Sequence, residues 1–201
     1  MGHKAVVQAA ALAILAAVGG VGIAAWGQGA ATQPDAATQP GESNMFHLES
    51  TAFTSGQRIG KQYSGEGKDV SPPLAWANLP HGTKELALIV DDPDAPRPEP
   101  WVHWVIYRIP PSAAGLGEDI AQGKEVKHPA GAMQGKNSGG QSGYNGPMPP
   151  PGHGVHRYFF RLYALDANLP PEAGIDKDHL LAAMKPHTLA TAELMGTYER
   201  K

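Results

Sequence analysis

His156 and Tyr158 stand two residues apart at the start of a β-branched and aromatic run that ends at Asp166. In an extended chain the side chains alternate, so His156, Tyr158 and Phe160 share one face while Arg157, Phe159 and Arg161 take the other. An imidazole and a phenol thus leave one strand together, a pair that donates and accepts hydrogen bonds and, at the imidazole, exchanges a proton near neutral pH. The strand is reached through the glycine- and proline-rich loop Gly143 to Gly154. Proline fixes φ and lacks an N–H, and glycine admits positive φ and close approach, so such a loop is stiff and can present bare backbone to a ligand. Upstream, Asp91-Asp92-Pro93-Asp94-Ala95-Pro96 closes an expected strand Glu85–Val90. A further strand opens at Trp101, with Trp101, His103 and Val105 expected on one face. A His-x-Tyr pair alone reads first as a strand entry with a satisfied histidine. Two strands that each open with an inward-capable histidine, one of them beside an Asp-rich loop, predict a convergent polar cluster.

The elements that must position this cluster are mostly strands. Lys84 to Val90 is a continuous apolar run, as in a strand buried on both faces, and Trp101 to Ile109 reads as a second central strand. Met45 to Ser50 alternates and reads as a first strand. Pro72 and Pro73 force an extended path after which Leu74 and Trp76 are expected to pin a loop into the core. Gly115 to Gly143 has no periodicity, and a loop this long is expected to be functional or mobile, with no role assigned to His128, Lys136 or Asn137. Ile175 to Tyr198 reads as helical, broken at Pro186 into two short helices, the second near Thr188 to Leu194 with Leu189, Ala192 and Leu194 inward. These elements make a mainly β protein, an antiparallel β-sandwich with a few peripheral and C-terminal helices.

The net charge of −3 and the absence of any Lys/Arg run provide no field for nucleic acid, which is excluded as a partner. Zero cysteines exclude disulfides, thiolate catalysis, cysteine-ligated metals and a lipid-modified cysteine. Ala5 to Trp26 is apolar apart from Gln8, so residues 1–26 are expected to be a signal peptide or an N-terminal membrane anchor. Residues 27–44 repeat Ala-Ala-Thr-Gln-Pro and hold too little apolar surface to offset ordering entropy, so a disordered linker is expected. Residues 45–201 then form one domain, in a protein expected to be exported to the periplasm or the extracellular space, with or without a membrane tether.

The segments Asp92-Pro93-Asp94-Ala95-Pro96 with Trp101-Val102-His103-Trp104, and Tyr144…Gly146…Pro149-Pro150…Gly152…Gly154…His156-Arg157-Tyr158, resemble the two signature regions of the phosphatidylethanolamine-binding proteins, in the bacterial and archaeal Raf kinase inhibitor-like version. The likeness extends to Ser71-Pro72-Pro73-Leu74…Trp76 and to Leu189-Ala190…Glu193-Leu194…Gly196-Thr197-Tyr198, and covers roughly residues 45 to 200. It implies a large central sheet packed on smaller β elements with a pocket at one edge. It further implies that Asp92, His103, Gly146, His156 and Tyr158 line that pocket, with Trp101 and Tyr144 as an aromatic wall. Two imidazoles, a phenol and a glycine amide donate to an oxyanion, and Asp92 can orient one imidazole and support its cationic form. The implied function is non-enzymatic binding of a small anionic or phosphorylated ligand such as a phospholipid head group, without cofactor. Affinity is then expected to fall as pH rises through the histidine range. By the same motif Asp94 is the nearest candidate for the buried partner that Arg157 needs on the opposite face.

Other readings compete. A protein acting by contact through its surface, as a protease or kinase inhibitor, is not separated from head-group binding by the sequence, because the pocket could serve both. Pro147-Met148 precedes Pro149-Pro150 where animal relatives have a tighter Gly-Pro-Pro, and those relatives are cytosolic, so kinase inhibition transfers poorly. A His/His/Asp set is also an ordinary metal triad by ligand type, which would make a metal-dependent hydrolase. A serine hydrolase lacks support, because no Gly-x-Ser-x-Gly elbow is present and Ser138 and Ser142 lie in a loop without a clear base. The sequence leaves a homodimer open.

Overall fold

A computed structural model describes residues 45–201. The expected signal or anchor, 1–26, and the expected linker, 27–44, lie outside the described residues. The elements in chain order are β1 (His47–Glu49), β2 (Leu74–Ala77), β3 (Glu85–Asp92), β4 (Trp101–Ile109), β5 (Gly115–Leu116), β6 (Met133–Gln134), β7 (His156–Leu165), α1 (Lys177–Met184) and β8 (Thr188–Tyr198). Antiparallel pairing builds a five-stranded sheet in the order β6-β4-β3-β7-β8 and a three-stranded sheet in the order β1-β2-β5.

Every residue of β3 is buried because both of its faces are covered. Leu86, Leu88 and Val90 meet the small sheet, where Leu48, Leu74, Trp76 and Leu116 complete the main core. Ala87 and Ile89 face the other way, with Val105 and Tyr107, onto Leu180 and Met184 of α1. Leu74 and Trp76 are the core anchors expected of them, and the Trp76 indole N–H donates to the Ala113 carbonyl at 2.8 Å. Asp91 turns toward the helix side, where Arg161 and Lys177 both pair with its carboxylate. That buried ion cluster joins α1 to the sheet.

Two expectations are corrected. Thr188–Tyr198 is a strand rather than a second helix, and its eleven residues pair along β7 from Thr188↔Leu165 to Tyr198↔His156. Ala192, Leu194 and Tyr198 are buried at a period of two, while Leu189 is 42% exposed instead of inward. Ala, Leu, Glu and Met favour a helix locally, but β7 would otherwise keep an unpaired edge, and ladder bonds to a neighbouring strand override local propensity. The segment 115–143 is also not a loose loop. Gln134 is fully buried, accepts from the Trp104 indole at 2.8 Å and donates to the Ala121 and Gly123 carbonyls. Asn137 holds Gly143 O and Gln141 N in the same way.

Candidate functional site

Because the central strands are antiparallel, the C-terminal end of β3 meets the N-terminal starts of β4 and β7 at one end of the large sheet, with Asp92 opposite Trp101 and Asp91 opposite Phe159. A pocket of about 540 Å³ opens there, and its lining includes Asp92, Trp101, His103, His156 and Tyr158. Five of the seven residues anticipated as ligand contacts are thus brought together.

His103 reaches the pocket through a β-bulge. Val90 pairs with Trp104 but the next residue, Asp91, pairs with Val102, so His103 is the extra residue on β4. A bulge puts two successive side chains on the same side of a sheet. His103 therefore sits on the pocket face together with Trp104, which belongs to the main core, while Val105 falls to the α1 face and does not share a side with His103 as simple alternation predicts. The alternation expected for β7 holds, with His156, Tyr158 and Phe160 buried and Arg157 exposed.

Hydrogen bonds fix most of these groups. The Asp92 carboxylate, 3% exposed, accepts from His156 Nδ1 at 2.7 Å through one oxygen and from the Asp94 backbone N–H at 2.8 Å through the other. His156 Nε2 lies 2.7 Å from His153 Nδ1, so Asp92, His156 and His153 form a hydrogen-bonded row. His103 Nδ1 donates to the Asn145 carbonyl at 2.6 Å, and its ring meets Tyr158 edge to face at 5.1 Å. The Tyr158 hydroxyl is buried and makes no hydrogen bond of ordinary length among the described residues, with the Asp92 carboxylate as the acceptor within its reach. Burial first, then the nearby Asp92 charge, pushes its pKa far above the ordinary phenol range, so it remains a protonated donor. At the mouth, the Arg97 guanidinium lies 5.3 Å above the Trp101 ring, and Met148, Pro149 and Pro150 form an apolar rim.

Tyr144 and Gly146 stand behind the pocket rather than on its wall. Tyr144 is 2% exposed, packs edge-on against Trp104 and donates from its hydroxyl to the Tyr63 carbonyl at 2.8 Å. The Gly146 N–H donates to Asp69 Oδ1 at 2.6 Å and is unavailable to a ligand. A side chain at Gly146 would collide with the Tyr63 carbonyl and stand 2.8 Å from Ser64 Cα, so glycine is required there for close packing. The residues that sequence reasoning passed over are Asn145, which fixes the tautomer of His103, Asp69, which holds the Asn145-Gly146 loop, and His153. The His153-x-x-His156 spacing within a glycine turn was a legible signal for the last; nothing marks the other two.

Asp94 and Arg157 do pair, at 2.9 and 2.7 Å, and Asp94 also accepts the Arg157 backbone N–H at 2.9 Å. The pair is on the surface rather than buried, with the Arg157 side chain 52% exposed. It clamps the loop after β3 to the start of β7 outside the pocket, and the guanidinium holds the Asp94 carboxyl below its ordinary range. Replacing Arg157 with Met is expected to lower the melting temperature slightly and leave ligand affinity unchanged; affinity lost at unchanged melting temperature would place Arg157 in the site.

Burial pushes the His103 pKa down from its ordinary value, against the Asn145 carbonyl and the charges of Asp92, Asp69 and Asp91, which pull it up. Burial thus works against a cationic His103. It also predicts a pH-dependent stability. In the unfolded chain this imidazole binds a proton below about pH 6.5, while the folded protein refuses it, so stability is full above that pH and falls as the pH drops. One such group contributes a slope of at most about 1.4 kcal/mol per pH unit. Urea unfolding of the parent protein and of His103→Gln at a series of pH values should show the flatter acid limb for the variant, and equal slopes would contradict the assignment.

Comparison with known proteins agrees with this architecture. The family model described as phosphatidylethanolamine-binding protein matches residues 49–199. A UPF0098 protein of Methanothermobacter thermautotrophicus is 48% identical over 155 residues, 77% of this chain and 99% of the relative. Among solved structures, a phosphatidylethanolamine-binding protein homologue from Chlamydia trachomatis is 44% identical with a TM-score of 0.71, covering 79% of this chain and all of that one. YbcL of E. coli, described as a member of the mammalian family, is 32% identical with a TM-score of 0.72 over 78% of this chain and 99% of that one. A bulged central strand that brings His103 to Asp92, His156 and Tyr158 at the sheet end, in a chain matched over nearly all of its described residues, makes this protein a member of the phosphatidylethanolamine-binding protein family.

Proposed function

We propose that the pocket binds a small anionic or phosphorylated ligand without turning it over. The observation that carries this reading is the convergence of His103, His156 and the buried Tyr158 hydroxyl on one pocket with the Arg97 guanidinium at its mouth. Hydrogen-bond donors that converge on a concave pocket suit a ligand rich in acceptors. Arg97 at the mouth adds a cation for an incoming anion, and the apolar rim of Met148, Pro149 and Pro150 suits an alkyl or lipid portion attached to it.

The absence of turnover is supported by the state of the candidate nucleophiles. The Tyr158 phenol is held protonated, and Ser138 Oγ lies outside the pocket and accepts the Val102 N–H at 2.9 Å. Export is part of the same proposal and rests on the apolar run Ala5 to Trp26.

Calorimetric titration of the purified protein with phosphate and phosphoethanolamine tests the reading. Binding should be measurable and should weaken about 5–10-fold in Tyr158→Phe, the loss of about one hydrogen bond. No binding of either, or binding unaffected by Tyr158→Phe and by His156→Ala, would remove the pocket from the function.

A further inference from the structure

We propose, resting on the anion-binding reading of this pocket, that His153 is a built-in competitor of the ligand: it occupies His156 Nε2 in the free protein and must swing away before His156 can hold a bound anion. His156 has no nitrogen to spare. Its Nδ1 donates to Asp92 Oδ2 at 2.7 Å, and its Nε2 lies 2.7 Å from His153 Nδ1. Only one hydrogen fits between two ring nitrogens at that distance. With a neutral His156 the bare Nε2 accepts the His153 Nδ1–H; with a cationic one, Nε2–H donates to His153 Nδ1. In the second state that N–H is the donor an oxyanion would take, so His153 and the anion contend for one atom.

The contended nitrogen lies on the seam between the pocket and a surface turn. His156 lines the pocket and is buried, and the exposed His153 ring packs against it edge-on, with 4.9 Å between centroids. Pro149 and Pro150, which lead into the turn that carries His153, belong to the pocket lining, whereas His153 does not. A ligand in the pocket therefore approaches His156 from one side while His153 holds it from the other.

Of the groups on His156, His153 is the one free to yield. Asp92 is buried and also holds the Asp94 N–H, so it cannot leave without stranding a second donor. The turn around His153 is lightly held. Gly152 and Gly154 flank it with φ of +73° and +94°, and a Cβ added at either would meet nothing within 4 Å, so no packed wall confines the turn. Its ties to the body are the His153–His156 contact and the Gly152 N–H, which donates to the Arg200 carbonyl at 3.1 Å. Glycine-flanked segments with few buried contacts are the ones that open locally. Water satisfies the displaced His153 ring at the surface, while the ligand takes its place on Nε2.

Calorimetric titration of the parent protein, His153→Ala and His153→Gln with inorganic phosphate tests the proposal, together with amide hydrogen exchange of the parent with and without phosphate. Removing the competitor should tighten binding about 3–10-fold in His153→Ala, the worth of about one hydrogen bond. His153→Gln, whose amide can occupy Nε2 as the ring does, should bring the affinity back toward the parent's. In the parent, phosphate should speed exchange at Gly152 and His153, whose N–H groups donate to the Arg200 and Pro150 carbonyls in the closed turn. Unchanged or weaker binding by His153→Ala, an equal gain in both variants, or slower exchange at Gly152 and His153 would overturn the proposal and leave the anion pocket standing. Failure of phosphate to bind any of the three proteins would overturn the proposal and the pocket reading together.

Discussion

The Asp92→Ala variant is expected to lose stability and ligand binding together. Its carboxylate is the point at which the pocket is tied to the sheet, with one oxygen on His156 Nδ1 and the other on the Asp94 backbone N–H. Truncation leaves both donors without an acceptor, the first of them on a ring that is only 1% exposed. A buried donor stripped of its partner costs about 1–3 kcal/mol, so two of them amount to a large fraction of the stability of a domain this size. The His156 ring also loses the contact that fixes its tautomer, and the row through His153 loses its anchor. Affinity for phosphate should fall about 10–100-fold in the folded fraction. Asp92→Asn separates the two effects, since it keeps the shape but turns one oxygen into an NH2 that must face either His156 Nδ1–H or the Asp94 N–H. It should recover part of the stability and little of the binding. Urea unfolding and calorimetry on the two variants check this, and an Asp92→Ala protein with the parent's midpoint and affinity would show that the carboxylate is not the hub.

The readability of this chain divides along physical lines. Elements whose pattern is dictated by their own burial were plain: the all-buried β3 appears as an unbroken apolar run, and β7 as an alternating one. Features that depend on a partner strand were not. The bulge at His103 exists only as a register between β3 and β4, so alternation from Trp101 wrongly carried Val105 onto the pocket face. The ladder on β7 makes β8 a strand although its composition suits a helix. Within the site, His103, His156, Tyr158 and Asp92 were found through residue type and motif, but the same motif equally contains residues that serve packing. A tyrosine that lines a ligand site and one that supports the strand behind it look alike in sequence, and Tyr144 is the second kind. The groups that set protonation states are backbone carbonyls and amides, such as Asn145 O and Gly146 N, and these carry no residue signature at all.

Gly146 turns that point into a prediction. Its N–H is spent on Asp69 and its Cα lies so close to the 63–64 backbone that an added Cβ would overlap Tyr63 O and come within 2.7 Å of Asp69 Oδ1. The obstacles at Tyr63 and Ser64 are main-chain atoms, which cannot rotate away, and Tyr63 O also receives the Tyr144 hydroxyl. Gly146→Ala must therefore displace the Asn145-Gly146 segment, at a cost of about 1–3 kcal/mol for overpacking a close-packed site. The displacement has a second consequence, because the preceding carbonyl, Asn145 O, is what holds the proton on His103 Nδ1, and the Asn145 N–H bonds back to His103 O at 2.9 Å. Once that carbonyl moves, the imidazole is free to carry its proton on Nε2, and the pocket exchanges an acceptor for a donor. The variant should unfold at lower urea, show a mixture of His103 tautomers in nitrogen-15 spectra, and shift its affinity for phosphate. If Gly146 acted instead as a ligand contact through its amide, Gly146→Ala would weaken phosphate binding with the tautomer and the unfolding midpoint unchanged.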